Sequence, residues 1–438
     1  MEGFVAELLR KLGFWHLFAI SVGSVLGSGI FIALSSFAAY GPAIVIAVVA
    51  GGALFLLWML IGAELAMAMP KAASLEVWAR KTLGGYAGFL MGFGYAFAWA
   101  TCAEAYALGI LTHYFFPQLD ARVWGVLFVT LFLALNAAGV EVSGNVQLAL
   151  TSGLVAILWG LGIAGLLRID PSMWSKYPPP SPAALGGAIV AAMYAYVGPL
   201  LVATAAEEAK NVRDLPKAMV SSTLFIIAMY AVAILALTGT VPPSVFKSLS
   251  LSNPVETPFV ESARVVAGAA GALLIAIAAW LASATDVLVG NLYGASRLIY
   301  GMAKDGYLPR IFAYVHPKTR VPIFALLLAA ALSYIVAATG WYWAFVYVAT
   351  IAWVIDYVLL SLAGYMLRKK HPELVKWKYP GYPVVPLVAL AGAIATLLAC
   401  YLPQLGGSPT YLIFTAAYLG ATYLYWKLYA EKRVVKES

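Results

Sequence analysis

Two stretches of this chain put helix-breaking residues where a long apolar helix should run uninterrupted, and the ends of a broken helix carry chemistry. The first reads SVGSVLGSGIF, with Gly23, Gly27 and Gly29 near its middle, and the second reads MYAYVGPLLVA, with Gly198 beside Pro199. Each glycine costs roughly 1 kcal/mol against alanine in helix propensity. A proline inside a helix removes a hydrogen bond and clashes with the turn before it. An interruption exposes backbone N–H groups at a positive dipole end, suited to a carboxylate, and backbone carbonyls at the other end, suited to an ammonium group or a cation. A zwitterionic amino acid matches both. The acids in apolar surroundings are the other reactive groups: Asp286 in LASATDVLVGN, with Glu64, Glu104 and Asp356. A charge at the centre of a bilayer costs at least ~2.5 kcal/mol, so each of them calls for a role. A carboxylate at Asp286 can hold a cation directly or carry a proton. Glu104 either lines a cavity or pairs with another helix, and Asp356 reads as structural.

The rest of the reactive inventory is sparse. The four histidines, His16, His113, His316 and His371, fall at the ends of apolar runs or between them, and there is neither HExxH nor GxSxG. An enzyme working at membrane depth would need a nucleophile with its base, or a metal cluster, so this class is excluded. Cys102 and Cys400 lie in separate apolar runs without metal-ligand spacing and read as packing residues.

The elements that must position these groups are membrane helices. Of 438 residues, 63% are hydrophobic and 11% charged, where a soluble domain carries roughly 25% charged residues. Apolar runs of about 20 residues, the length that crosses the hydrocarbon core of a bilayer, centre near Ser28, Phe55, Ala100, Leu131, Val155, Pro199, Ile227, Leu281, Leu328, Trp353, Ala391 and Ala417. They predict twelve spans in one all-α membrane domain. Their loops are marked by Pro178 to Pro182 and Pro242 to Pro243. With twelve spans, 22 of the 27 Lys and Arg residues fall on the side of the termini and 5 opposite. Positive loops stay inside, so both termini are expected in the cytoplasm. The net charge of +8 is spread over short loops and forms no face for nucleic acid. The N-terminus lacks the pattern of a cleavable signal, so the first span is expected to remain.

The breaks at Gly29 and Gly198 lie five spans apart. Matching interruptions in the two halves of a membrane chain point to a transporter built from inverted repeats, with its site at the repeat interface.

At these residues the sequence resembles the amino acid-polyamine-organocation transporter superfamily over nearly its whole length. Gly27 to Phe31 carries the Gly-Ser-Gly-Ile-Phe signature, and Ala63 to Pro70 an Ala-Glu-Leu pattern followed by proline. EEAKNVRDLPK (Glu207 to Lys217), SRLIYGMAKDGYLP (Ser296 to Pro309) and KYPGYPVVP (Lys378 to Pro386) follow in the family's order. The resemblance implies a leucine-transporter-like fold. Two inverted five-helix repeats, about 12–168 and about 182–370, are followed by two extra helices at about 383–430. It places Gly27, Ser28 and Gly29 at the substrate carboxylate, and the carbonyls of Val25, Ala195 and Val197 at its ammonium. Tyr194 falls where some relatives keep an aromatic gate, Asn291 is expected to line the cavity, and Glu64 is expected to be structural near the cytoplasmic end. Thr285 and Asp286 fall near the hydroxyl pair that holds sodium in ion-coupled relatives.

Two departures matter. Pro199 and Leu200 stand where some relatives have a glutamate, and Leu154 stands where a proton-coupled subgroup has a lysine. The implied function is alternating-access transport of small or neutral amino acids across the cell membrane, coupled to protons or sodium. The alternative is an exchanger for cationic amino acids or polyamines. No organic cofactor, bound metal or nucleic acid is implied, and the partners are the substrate and the lipid bilayer.

Overall fold

The computed structural model describes residues 7–248, 257–401 and 410–434. The side chains of Tyr194 and Cys400, together with Lys436 and the first six residues, lie outside the described residues. The described chain is helical throughout, with a single isolated bridge pairing Leu12 and Ala209.

Five helical elements are long and apolar enough to cross a membrane without interruption: Pro42–Ala68, Val140–Leu166, Asp214–Thr240, Pro258–Lys304 and Val348–Lys370. They supply spans two, five, seven, eight and ten. The other predicted spans are met by shorter or divided helices. Span one is Phe14–Gly23 followed by Gly29–Ala38, and span six is Pro182–Ala195 followed by a 3-10 turn, Pro199–Ala205. Spans four, nine, eleven and twelve contain Ala121–Ala137, Ile323–Thr339, Val384–Tyr401 and Thr410–Tyr425.

Span three is also divided, into Gly85–Ala100 and Glu104–Phe115. No glycine or proline causes this break, since the local sequence is AWATCAEAY. Side chains from other spans stabilise it instead: Ser333 donates to the Ala100 carbonyl at 2.9 Å and the Asn291 amide to that of Cys102 at 2.9 Å. A freed carbonyl in a membrane interior needs such a partner, because no water is at hand. In span eight the helix kinks at Ala267 and Gly268, where Gly268 has φ 61°, and then widens into a π-helical turn over Val287–Gly294.

Spans six and seven pack on span two, span eight on span five, span three on span ten, and span four on span nine. Large apolar side chains point outward as well as inward, among them Leu131, Ile163, Leu224, Ile413 and Leu424, which is the pattern of a bundle solvated by lipid. Leu12 meets the loop after span six, and Arg433 stands against Gly306 in the loop after span eight. Both ends of the described chain therefore lie at one end of the bundle. Glu64 belongs to that end: Arg368 grips it with two donors at 2.7 Å and also reaches the Tyr379 carbonyl, a structural clamp.

Candidate functional site

The breaks in spans one and six meet in the interior. Gly198 has φ 147°, a conformation open to glycine, and a Cβ there would strike the Ser24 carbonyl and stand 2.7 Å from the Val25 side chain. Neighbouring spans secure the broken backbone. The Ser21 hydroxyl, itself 2.6 Å from that of Ser222, donates to the Pro199 carbonyl, while Gln147 and Thr151 of span five donate to the Ala19 carbonyl. Tyr230 of span seven donates its hydroxyl to the Ala195 carbonyl at 3.0 Å. Val197 faces elsewhere, lining a small recess with Trp58, Met193 and Tyr357.

Span one restarts at Gly29, and Ser28 stands at the head of its second piece. This is the amide end expected to receive a substrate carboxylate, and a side chain of the protein already sits on it. Glu104, first residue of the second piece of span three, accepts from the Ser28 N–H and the Ser28 hydroxyl, each at 3.0 Å. Ser28 and Glu104 are 6% and 7% exposed. Asp286, 4% exposed, approaches the same place. A Cβ on Gly27 would stand 2.7 Å from Glu104 Oε1 and 2.9 Å from Asp286 Oδ2, so two carboxylates converge over this glycine. The other oxygen of Asp286 has no hydrogen-bond partner among the described residues. Thr285 donates to the Ala282 carbonyl at 2.8 Å and reaches the Gly23 carbonyl at 3.5 Å, at the end of the first piece of span one.

The structure thus brings together Val25, Gly27, Ser28, Thr285 and Asp286, and it places Ala195 beside them through the contact of the two breaks. Asn291 is engaged differently, bridging Cys102 and Ser333 across the break in span three. Glu104, whose role the sequence left open, is the group nearest the expected carboxylate seat. An apolar cavity flanks the second piece of span one, lined among others by Ile30, Phe31, Leu34, Leu158, Tyr230 and Phe259. Among the described residues no group of three or more His, Cys, Asp or Glu side chains is placed to hold a metal ion.

At the end of the bundle that carries the termini, the segment ahead of span one is tied to the loop after span six. The amides of Lys11 and Leu12 donate to the Glu208 carbonyl at 2.9 and 3.0 Å, and the Lys210 amide returns to the Leu12 carbonyl at 2.8 Å. The Glu208 side chain is fully buried and takes Arg297 Nε and Nη2 at 3.0 and 2.8 Å and the Tyr293 hydroxyl at 2.6 Å.

Two discontinuous helices thus meet in the interior, with the buried acids Glu104 and Asp286 beside the break in span one. Comparison with known proteins decides what class of machine this is, for the pattern that defines the amino acid permeases matches residues 12–423. The chain belongs to the amino acid permease family. It is a multi-pass membrane transporter and not an enzyme. The permease is 27% identical to a methylthioribose transporter of Bacillus subtilis over 87% of each chain. It is 28% identical to a branched-chain amino acid permease of the same organism, over 90% of this chain and 88% of the relative. It is also 31% identical to the chloroplastic cationic amino acid transporter 9 of Arabidopsis thaliana, over 71% of this chain and 58% of that one.

Proposed function

We propose that the permease carries small or neutral amino acids across the cell membrane by alternating access, coupled to a proton or a sodium ion. The observation that supports this most is the seat of Glu104 on the Ser28 amide, with Asp286 beside it. A substrate carboxylate reaching for that amide must displace Glu104. Two carboxylates crowded together in a low-dielectric interior repel each other, so the displaced arrangement needs an added positive charge. A cation arriving at Glu104 and Asp286 releases Ser28, and substrate and ion therefore bind together. Thr285 and the Gly23 carbonyl supply further oxygens on the side where a sodium ion would sit. The substrate's ammonium group takes the carbonyls freed at the breaks, Val25 among them. The apolar cavity beside Ile30 and Phe31 suits an uncharged side chain.

Glu104 and Asp286 also support the alternative of a cationic substrate whose side-chain amine lies between them. The name of the Arabidopsis relative is consistent with it. Alternating access is proposed to come from two inverted repeats, about 12–168 and about 182–370, rocking about the contact between the breaks. The lysine and arginine bias supports a cytoplasmic position for the end that carries the termini.

Uptake of labelled amino acids into proteoliposomes, under a proton gradient, a sodium gradient or neither, tests the proposal beside Asp286→Asn. Saturable uptake of neutral amino acids that follows one gradient, and no longer follows it in the variant, is the expected result. Gradient-independent uptake, unaltered by the substitution, would end the coupling proposal. Preference for lysine, arginine or polyamines would replace it with the cationic reading.

A further inference from the structure

A third buried acid lies away from this pair. Asp356, near the middle of span ten, is 1% exposed, and neither of its carboxylate oxygens has a hydrogen-bond partner among the described residues. It faces span three at Gly94 and span twelve at Tyr418. The two oxygens stand 3.3 and 3.5 Å from the point where a Gly94 Cβ would be, and the Tyr418 hydroxyl is closer still to that point. The hydroxyls of Tyr95, Tyr357 and Tyr418 are buried and likewise without hydrogen-bond partners among the described residues. No described lysine, arginine or histidine pairs with Asp356. The titratable groups around it are therefore the three tyrosines, one each from spans three, ten and twelve.

Trp99, which packs on Tyr95 of this cluster, stands between it and the central site. The two rings are 6.0 Å apart, and a Cβ on Gly290 would lie 2.5 Å from Trp99 and 2.6 Å from Asp286 Oδ1. The two acid sites are thus neighbours across one layer of aromatic side chains, without sharing a ligand.

A carboxylate with no countercharge is costly at membrane depth, and hard oxygens crowded on a glycine-sized space suit a small monovalent cation. A divalent ion would demand six or more oxygens or retained waters. We propose that Asp356, with the hydroxyls of Tyr95 and Tyr418, is a second monovalent-cation seat, for a proton or sodium, that joins spans three, ten and twelve. Through Trp99 its occupancy sets how span three lies against the π-helical turn that follows Asp286.

The test uses purified full-length protein carrying both Glu104→Gln and Asp286→Asn, so that neither carboxyl group of the central site reports. It is compared with the same protein carrying also Asp356→Asn or Tyr418→Phe. Thermal unfolding is followed in sodium chloride against choline chloride at constant ionic strength, and the infrared carbonyl stretch of protonated carboxyl groups is followed against pH. If the ion is sodium, it raises the melting temperature. Asp356→Asn abolishes the effect, and Tyr418→Phe weakens the apparent affinity about fivefold. If it is a proton, a protonated-carboxyl band vanishes in Asp356→Asn and shifts in Tyr418→Phe, with no response to sodium. The absence of both a sodium effect and a carboxyl band that depends on Asp356 overturns the proposal. Should Asp356→Asn fail to fold, Tyr418→Phe decides by the same readouts. These are binding readouts, so failure of the coupling reading in the uptake assay leaves them unaffected.

Discussion

Glu104→Gln separates the two readings of the central site. The carboxylate of Glu104 accepts from both donors of Ser28 at 3.0 Å, with both residues buried. A hydrogen bond to a buried charged group is worth about 1.5–3 kcal/mol. Glutamine keeps an acceptor oxygen for the Ser28 N–H and can donate its NH2 group to the Ser28 hydroxyl, but it removes the charge, so the bonds lose their charge assistance. If Glu104 competes with the substrate carboxylate for the Ser28 amide, the substitution removes about 1.5–3 kcal/mol of competition, and each 1.4 kcal/mol is tenfold in affinity. The dissociation constant for a neutral amino acid should then fall about tenfold to a hundredfold, and its dependence on pH or sodium should flatten. Equilibrium binding of labelled substrate to the purified protein, measured across pH and sodium concentration, gives both quantities. Weaker binding in the variant, with the ion dependence intact, would refute the displacement mechanism. Weaker binding confined to lysine- or arginine-like substrates would identify Glu104 as the receptor for an amine.

A methyl group at Gly27 would stand 2.7 Å from Glu104 and 2.9 Å from Asp286; Gly27→Ala should cut uptake more than about tenfold while the protein still elutes as a folded species, and near-normal uptake would place the site elsewhere. Arg297→Ala leaves the buried Glu208 carboxylate without its partner, a loss of about 3–5 kcal/mol. It should lower the melting temperature in detergent far more than Lys11→Ala, whose ammonium pairs with Glu141 in the open; equal effects would contradict the burial argument. Ser333→Ala removes the donor to the Ala100 carbonyl inside the bundle and should cost about 1–3 kcal/mol in thermal stability, while Thr339→Ala, whose hydroxyl bonds within its own helix at the surface, should cost little.

The breaks in spans one and six were legible because glycine and proline encode them directly: the backbone at Gly198 needs an angle that favours glycine. The apolar runs and the presence of acids within them were legible for the same reason, being properties of residue type, but the convergence of Glu104 and Asp286 over Gly27 was not. The break in span three was not, because its causes are an amide from span eight and a hydroxyl from span nine, both far along the chain. Without that break the setting of Glu104 is invisible. In an unbroken helix its direction depends on register, whereas here it opens a new helix and turns onto Ser28. Asn291 shows the opposite limit: the resemblance implied a place lining the cavity, whereas its partners, Cys102 and Ser333, emerge only from packing. Five elements run straight through, and beyond the two expected breaks span three is divided as well.

The segment ahead of span one is laced to the loop after span six by three main-chain hydrogen bonds, and the Leu12 side chain beneath them is buried. At about 1 kcal/mol net for each bond, this lacing is weak enough to be undone by the energy of binding a substrate. The Glu208–Arg297 pair on which it rests is not, because separating those two charges would strand both. Under the proposed alternating access, release at this end should peel a strap off a fixed post: the leading segment swings away with the first piece of span one, while span eight and the loop after span six stay bolted together. A tag or truncation near Leu12 would then act on the timing of release, although Leu12 lies ahead of span one.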